Sequence, residues 1–312
     1  MRQWYYALNT QQEGPIPEDR LVALLNSGQL SQDTRVWTPG LEKWTPAMEV
    51  QDLPFSRDTS PPHASAKEPP VPLKRVRVIA LAFVFVSLAV VLAVDEWRAM
   101  HVLFIGNSYT YVNNLPQMIA DLARAGHQRP LKFDMETPGG YTLEQHWTGG
   151  KAATKIAARH WDFVVLQEQS MRPLDNPKLM FDYAARLDSE IKKQGVRTLL
   201  YQTWARQAVI GRQEELNKAY LDLGRVLNAC VVPVGMAWEG ALGDDPQLAL
   251  YSADKSHPTM AGTYLAACVF YATIYDKSPE GLPGKIGGLG NDEAKRLQVI
   301  AWKTVHQLAG AK

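Results

Sequence analysis

From Val78 to Val94 the chain reads VIALAFVFVSLAVVLAV: 17 residues without a charge, a proline or a glycine, with Ser87 as the one polar member. Seventeen is at the short end of what crosses a bilayer as a helix. The apolar character runs all round, unlike the one-sided stripe of a surface helix. A buried core helix is the alternative, and the flanks decide against it. Lys74, Arg75 and Arg77 precede the run, and Asp95 and Glu96 follow it. Basic residues collect on the cytoplasmic side of a span, so the N-terminal part is expected to stay inside and the C-terminal part to cross. Because the residues ahead of the run look folded, it reads as an uncleaved signal anchor rather than a removed leader. The expected span is 76–96, and no second apolar run of that length exists, so the chain is expected to cross once.

The rest of the 312 residues divides around this segment. Hydrophobic residues make up 46% and charged residues 21%, ordinary globular usage that excludes wholesale disorder. Lys plus Arg number 33 against 32 Asp plus Glu, which argues against a chain built to grip nucleic acid. Cys230 and Cys268 are too few for a disulfide scaffold or a four-cysteine zinc site, and read as small core residues; a bridge between them stays open. Five of the twelve residues from Pro61 to Pro72 are proline. Residues 56–75 therefore read as an extended tether. A polyproline II stretch at Pro69–Pro72 docking on the chain's own N-terminal module is the alternative to a plain spacer.

Residues 1–55 form the N-terminal module. Gln3 to Leu8 is aromatic-rich and suits a short strand. A turn is expected at Glu13-Gly14-Pro15. A helix with Pro17 in its first turn follows, with Leu21, Leu24 and Leu25 as its apolar face. Arg35 to Trp37 is a second strand, and Pro39-Gly40 turns the chain toward Lys43–Ala47. The strings WYYALN, EGPI, SGQLS and VWTPGLEKWTPA make this module similar to the bacterial GYF-like domain, a small α+β fold. The resemblance implies an exposed aromatic surface for proline-rich peptides. Trp4, Tyr6, Trp37 and Trp44 are its candidates, against the alternative that much of so small a core must be aromatic. The Gly-Tyr-Phe string of the wider family is absent.

Residues 97–312 change to strands alternating with helices. Strands are expected at His101–Ile105, Leu131–Glu136, Asp162–Gln167, Val196–Gln202 and Val231–Val234. Helices are expected at Leu115–Ala125, Lys151–Arg159, Pro177–Gln194, Glu214–Asn228, Thr259–Tyr275 and Asp292–Leu308. Repeated βα units imply a parallel sheet covered on both faces, a three-layer α/β/α sandwich with its crevice at the C-terminal strand ends.

The chemistry should therefore lie where strands end. The first strand runs into Gly106-Asn107-Ser108-Tyr109-Thr110. A serine hydroxyl is a weak nucleophile and needs a base. The best base lies far along the chain in Ser252-Ala-Asp254-Lys-Ser-His257-Pro258, where His257 can take the serine proton and Asp254 can orient the ring. Either motif alone would pass as a turn or a helix start. There is no H-E-x-x-H site, no phosphate loop and no G-x-S-x-G elbow, so no metal or cofactor is expected.

GNSYT, Pro138-Gly139-Gly140-Tyr141-Thr142 and Asp254-Lys-Ser-His257-Pro258 resemble the SGNH (GDSL-type) hydrolases, over about residues 100–280, in a poorly characterised bacterial branch. The resemblance implies a flavodoxin-like sheet and an ester hydrolase with Ser108 as nucleophile, His257 as base and Asp254 as its partner. It implies an oxyanion hole from the backbone N–H of Ser108 and of Gly140. In the family a side-chain amide, usually asparagine, completes the hole. Here Gln167 is the first candidate for that role, with Gln169 and Ser170 behind it. Asn107 stands where the family has aspartate. His146 and Trp204 could wall the pocket, although a helix-facing histidine is the plainer reading of the first.

The expectation is thus a bacterial inner-membrane enzyme crossing once, with a cytoplasmic N-terminus and a periplasmic or otherwise extracytoplasmic hydrolase. An O-acetyl ester on a glycan or envelope polymer is the first substrate expectation, and a lipid or aryl ester the second. The alternative from another class is a membrane scaffold without turnover that recruits a proline-rich partner through the GYF-like module.

Overall fold

The computed structural model describes residues 2–8, 11–56 and 99–310. They belong to two compact units. The Val78–Val94 run, the tether beyond Ser56 and the first residues of the expected hydrolase domain lie outside the described residues. Among the described residues no helix is long and apolar enough to cross a membrane.

The N-terminal unit contains β1 (Gln3–Leu8), β2 (Gln11–Pro17), α1 (Glu18–Asn26), β3 (Arg35–Trp37) and β4 (Thr45–Pro46), in an antiparallel sheet of order β2-β1-β3-β4. The turn expected at Glu13–Pro15 lies instead inside β2. Glu13 pairs with Tyr6 and Ile16 with Trp4, and the register shift between Trp4 and Tyr6 absorbs the Gly14-Pro15 step. A bulge is where a ladder tolerates such residues. Leu21 and Leu25 of α1 close over Trp4, Val36, Ala47 and Leu53.

This core corrects one expectation. Trp4 is buried, and its indole N–H donates to Glu18 Oε2 at 3.1 Å, so it cannot form an exposed peptide surface. Side chains alternate along a strand, and Tyr5 instead lies against Trp37 across β1 and β3, ring centroids 5.8 Å apart. Tyr6, Trp37 and Trp44 are half-buried, and Tyr6 packs on the core's edge.

The C-terminal unit opens with β5 (Met100–Ile105), α2 (Ser108–Tyr111), α3 (Leu115–Ala125) and β6 (Leu131–Glu136). Next come α4 (Leu143–Thr148), α5 (Lys151–Ala157), β7 (Phe163–Leu166), α6 (Arg172–Asp175) and α7 (Pro177–Lys193). β8 (Arg197–Gln202), α8 (Gln213–Leu227), β9 (Cys230–Pro233), α9 (Val234–Asp244), α10 (Met260–Tyr275) and α11 (Asn291–Gly310) complete it. The five strands are parallel in the order β6-β5-β7-β8-β9.

Strand periodicity splits the core in two. Val102, Phe104, Val165, Leu199, Tyr201 and Val232 point to one face, which α3, α9, α10 and α11 cover. Leu103, Ile105, Val164, Leu166, Leu200 and Val231 point to the other, under α4, α5, α7 and α8. These two layers of helices and the sheet make the α/β/α sandwich the sequence predicts. α10 is apolar on all sides because it is buried along most of its length, and Cys268 is one of its fully buried members. The chain leaves β5 to one side for β6 and returns to the other for β7. The switch point therefore falls between β5 and β7, where such sheets open a crevice.

Candidate active site

Local geometry at the end of β5 places the serine. A Cβ on Gly106 would fall 2.6 Å from Gln167 Oε1 and 2.8 Å from Thr110 Oγ1, so only glycine lets the strand turn there. Asn107 is buried and caps the first turn of α2: its Oδ1 accepts from the Tyr109 N–H at 3.1 Å, and its Nδ2 donates to the Tyr141 carbonyl at 2.9 Å. Ser108 is the first residue of α2 and is partly exposed.

The histidine arrives on a loop closed on itself. Tyr251 and Pro258 form an antiparallel bridge, and the Ser252 N–H donates to the His257 carbonyl at 2.8 Å. Inside this loop Asp254 Oδ1 accepts the backbone N–H groups of Ser256 (3.0 Å) and His257 (2.9 Å), and Asp254 Oδ2 meets His257 Nδ1. These contacts, the imidazole first, hold the Asp254 carboxyl down at about 2. A carboxylate on Nδ1 fixes the proton there and leaves Nε2 to accept. His257 Nε2 lies 2.8 Å from Ser108 Oγ across 149 positions of sequence.

Tyr109 and Trp204 support the pair from behind. The Tyr109 ring stacks on Trp204 at 4.7 Å, and Trp204 stacks on Trp238 at 4.0 Å. Trp204 Nε1 donates to the Ser256 carbonyl at 3.0 Å, and the Tyr109 hydroxyl shares a 2.7 Å hydrogen bond with Ser256 Oγ. Trp204 is fully buried. It therefore props the histidine loop and does not wall the cleft.

Gln167 also differs from expectation. It is fully buried, and its Nε2 donates to Asn107 Oδ1 (3.0 Å) and to the Glu168 carbonyl (2.6 Å). Its Oε1 accepts the Asn107 N–H at 2.9 Å and the Thr110 hydroxyl at 3.0 Å. Both amide hydrogens are committed to the frame, so Gln167 offers none to an oxyanion. Gln169 does. Its Oε1 caps α6 by accepting from Met171 and Arg172, while its Nε2 finds no acceptor among the described residues. Gln169 lines a cleft of about 210 Å³ together with Ser108, Gly140 and His257. The backbone N–H groups of Ser108 and Gly140 likewise have no acceptor among the described residues, and Gly140 holds φ +73°, a conformation that favours glycine.

His146 is buried beside the cleft with Nε2 2.7 Å from the Gly106 carbonyl, which can only accept, so Nε2 carries the proton. Burial pushes this imidazole below its ordinary range and keeps it neutral. It braces the turn before Ser108. Glu168 is almost wholly buried and accepts from the Leu143 and Gln169 N–H groups at 3.1 and 2.6 Å. Burial outweighs these bonds and pushes its carboxyl up to about 7.

Larger grooves of about 800 and 460 Å³ lie on the helical layers, one beside Met236, Glu239 and Lys303 and the other beside Leu221 and Leu308. Neither brings a nucleophile and a base together, so chemistry rather than volume selects the small cleft. No group of three His, Cys, Asp or Glu side chains that could hold a metal occurs among the described residues.

A five-stranded parallel sheet with the Ser108, His257 and Asp254 side chains gathered at its switch point matches the SGNH flavodoxin-like fold. The chain is similar to a Slackia heliotrinireducens protein assigned to the SGNH hydrolases, at 28% identity over 56% of this chain and 99% of that one, with a TM-score of 0.50. It shares its fold with a DUF4886 family protein from Bacteroides uniformis, at 18% identity over 67% of this chain and 95% of that one, TM-score 0.56. The family model described as GYF domain 2 matches residues 4–53. No curated protein matches the chain.

Proposed function

We propose that this chain is a membrane-anchored serine ester hydrolase. The 2.8 Å approach of His257 Nε2 to Ser108 Oγ, with Asp254 on the opposite ring nitrogen, carries the reading. Ser108 Oγ attacks the ester carbonyl carbon while its proton passes to Nε2. The tetrahedral oxyanion is held by the N–H groups of Ser108 and Gly140 and by Gln169 Nε2. Collapse expels the alcohol, which takes the proton from Nε2, and leaves acyl-Ser108. Water then attacks the acyl carbon, giving up its proton to Nε2, and the carboxylic acid departs as Ser108 regains its own.

The finer reading keeps four parts: the GYF-like domain at 1–55, the tether at 56–75, one span at 76–96 and the hydrolase at 97–312. The first stays cytoplasmic and takes a proline-rich peptide on the face of Tyr5 and Trp37. The last works outside the inner membrane on an O-acetyl ester of a glycan or envelope polymer. Hydrolysis of p-nitrophenyl acetate by the detergent-solubilised full chain tests the activity. Wild type is expected to exceed Ser108→Ala by about a thousandfold or more. Equal rates would leave a scaffold without turnover.

A further inference from the structure

Arg206 follows β8 by four residues and lines the same cleft as Ser108 and His257. The other cleft-lining side chains on its side are the hydroxyls of Ser170, Tyr109 and Ser256. Arg206 Nε donates to Ser170 Oγ at 3.0 Å, a neutral acceptor. No carboxylate of the described residues forms an ion pair with Arg206, and no aspartate or glutamate lines the cleft. Acidic groups around the site are engaged elsewhere: Asp254 holds His257, Glu144 pairs with Arg172 at 3.1 Å, and Glu168 accepts from the Leu143 and Gln169 N–H groups. The guanidinium also meets the Tyr109 hydroxyl, and a guanidinium without a carboxylate partner beside a nucleophile is a ready fork for an anion.

We infer that Arg206 binds a carboxylate carried by the ester substrate, so that the site selects monoanionic esters over neutral ones. One cation among hydroxyls, with the Asp254 carboxylate already committed to His257, balances a single negative charge. A phosphate, nearer two charges at neutral pH, would leave the cleft net negative. The inference rests on the hydrolase reading for what the bound molecule undergoes, but the binding itself can be measured without turnover. The carboxylate could sit on the acyl or on the alcohol side of the scissile bond, since either brings it within the same small cleft.

The test uses detergent-solubilised full-length Ser108→Ala protein and tryptophan fluorescence, which the buried Tyr109–Trp204 stack makes sensitive to the cleft. Monomethyl succinate is titrated against dimethyl succinate for the acyl side, and acetoxyacetate against its methyl ester for the alcohol side. In at least one pair the anion is expected to bind about tenfold tighter, the weight of a charge-assisted hydrogen bond. That ratio is expected to fall to near one in Arg206→Gln and to survive in part in Arg206→Lys, where a charge remains. Equal affinities within both pairs, or a preference that Arg206→Gln leaves intact, would overturn the inference. Ser108-dependent turnover of p-nitrophenyl acetate by the wild type reports separately on the hydrolase reading. Failure of one is thus told apart from failure of the other.

Discussion

Trp204 lies face to face on Tyr109, the rings 7° from parallel, and its indole nitrogen holds the carbonyl of Ser256, the residue before the site histidine. One buried side chain thus supports both halves of the hydroxyl–imidazole pair. Trp204→Phe keeps most of the stacking surface and removes the hydrogen bond. It is expected to cost about 1–3 kcal/mol, because the Ser256 carbonyl loses its partner. The rate of ester cleavage should fall while KM stays near its wild-type value. Thermal melting followed by p-nitrophenyl acetate kinetics checks both.

Gln169→Glu tests the oxyanion assignment. The glutamate keeps an oxygen to cap α6 through Met171 and Arg172 but replaces the open N–H with a second acceptor. The turnover number is expected to drop by about a hundredfold or more, with little change in melting temperature. An undiminished rate would remove Gln169 from the hole.

Glu168 gives the domain a pH-dependent stability. Its folded carboxyl titrates at about 7 against an ordinary 4.5, because burial disfavours the charge. Between those values the folded state holds a proton that the unfolded chain has released. Stability therefore falls as pH rises through the window of about 4.5 to 7, and is flat above it. The loss is roughly 3 kcal/mol at the usual 1.36 per unit. Glu168→Gln retains an oxygen for the Leu143 and Gln169 N–H groups and should abolish most of the slope. Denaturant titrations of both proteins at pH 5 and pH 8 measure it.

Gly106→Ala would drive a methyl group into Gln167 Oε1 and Thr110 Oγ1. The turn before Ser108 must then shift, at about 1–3 kcal/mol. Loss of esterase rate should accompany a lower denaturation midpoint. A fully active, equally stable variant would show that the turn has slack.

What was legible in the sequence followed from periodicity and helix stops. Apolar runs of strand length, and glycines after Ala125 and Gln194, placed β5 to β8 and the helices α3, α5 and α7 within a residue or two, whereas the short α2, α4 and α6 were not expected. The Ser108 segment was found because it lies at an expected strand end, and the His257 segment because an Asp-x-x-His-Pro run stands directly before a helix late in the same domain. Finer features depend on which way a side chain points. Gln167 and Gln169 have the same amide two positions apart, and only the hydrogen bonds around Asn107 and Met171 separate frame from donor. Trp4 and Tyr5 differ by one position, which is one face of a strand. α9 was missed because Pro233 ends β9 and the helix begins at once, so an apolar stretch hid two elements. Arg206 carries no motif, and its interest comes from the carboxylates that are not there among the described residues of the cleft.

α10 starts three residues after His257, its first turn tied by the Thr259 hydroxyl to the Gly262 N–H, and then runs through the deepest part of the domain. The imidazole is thereby fastened to an element that cannot fray without exposing the core. Heat inactivation should consequently track global melting rather than precede it, making catalytic half-life a direct gauge of whether the interior is intact.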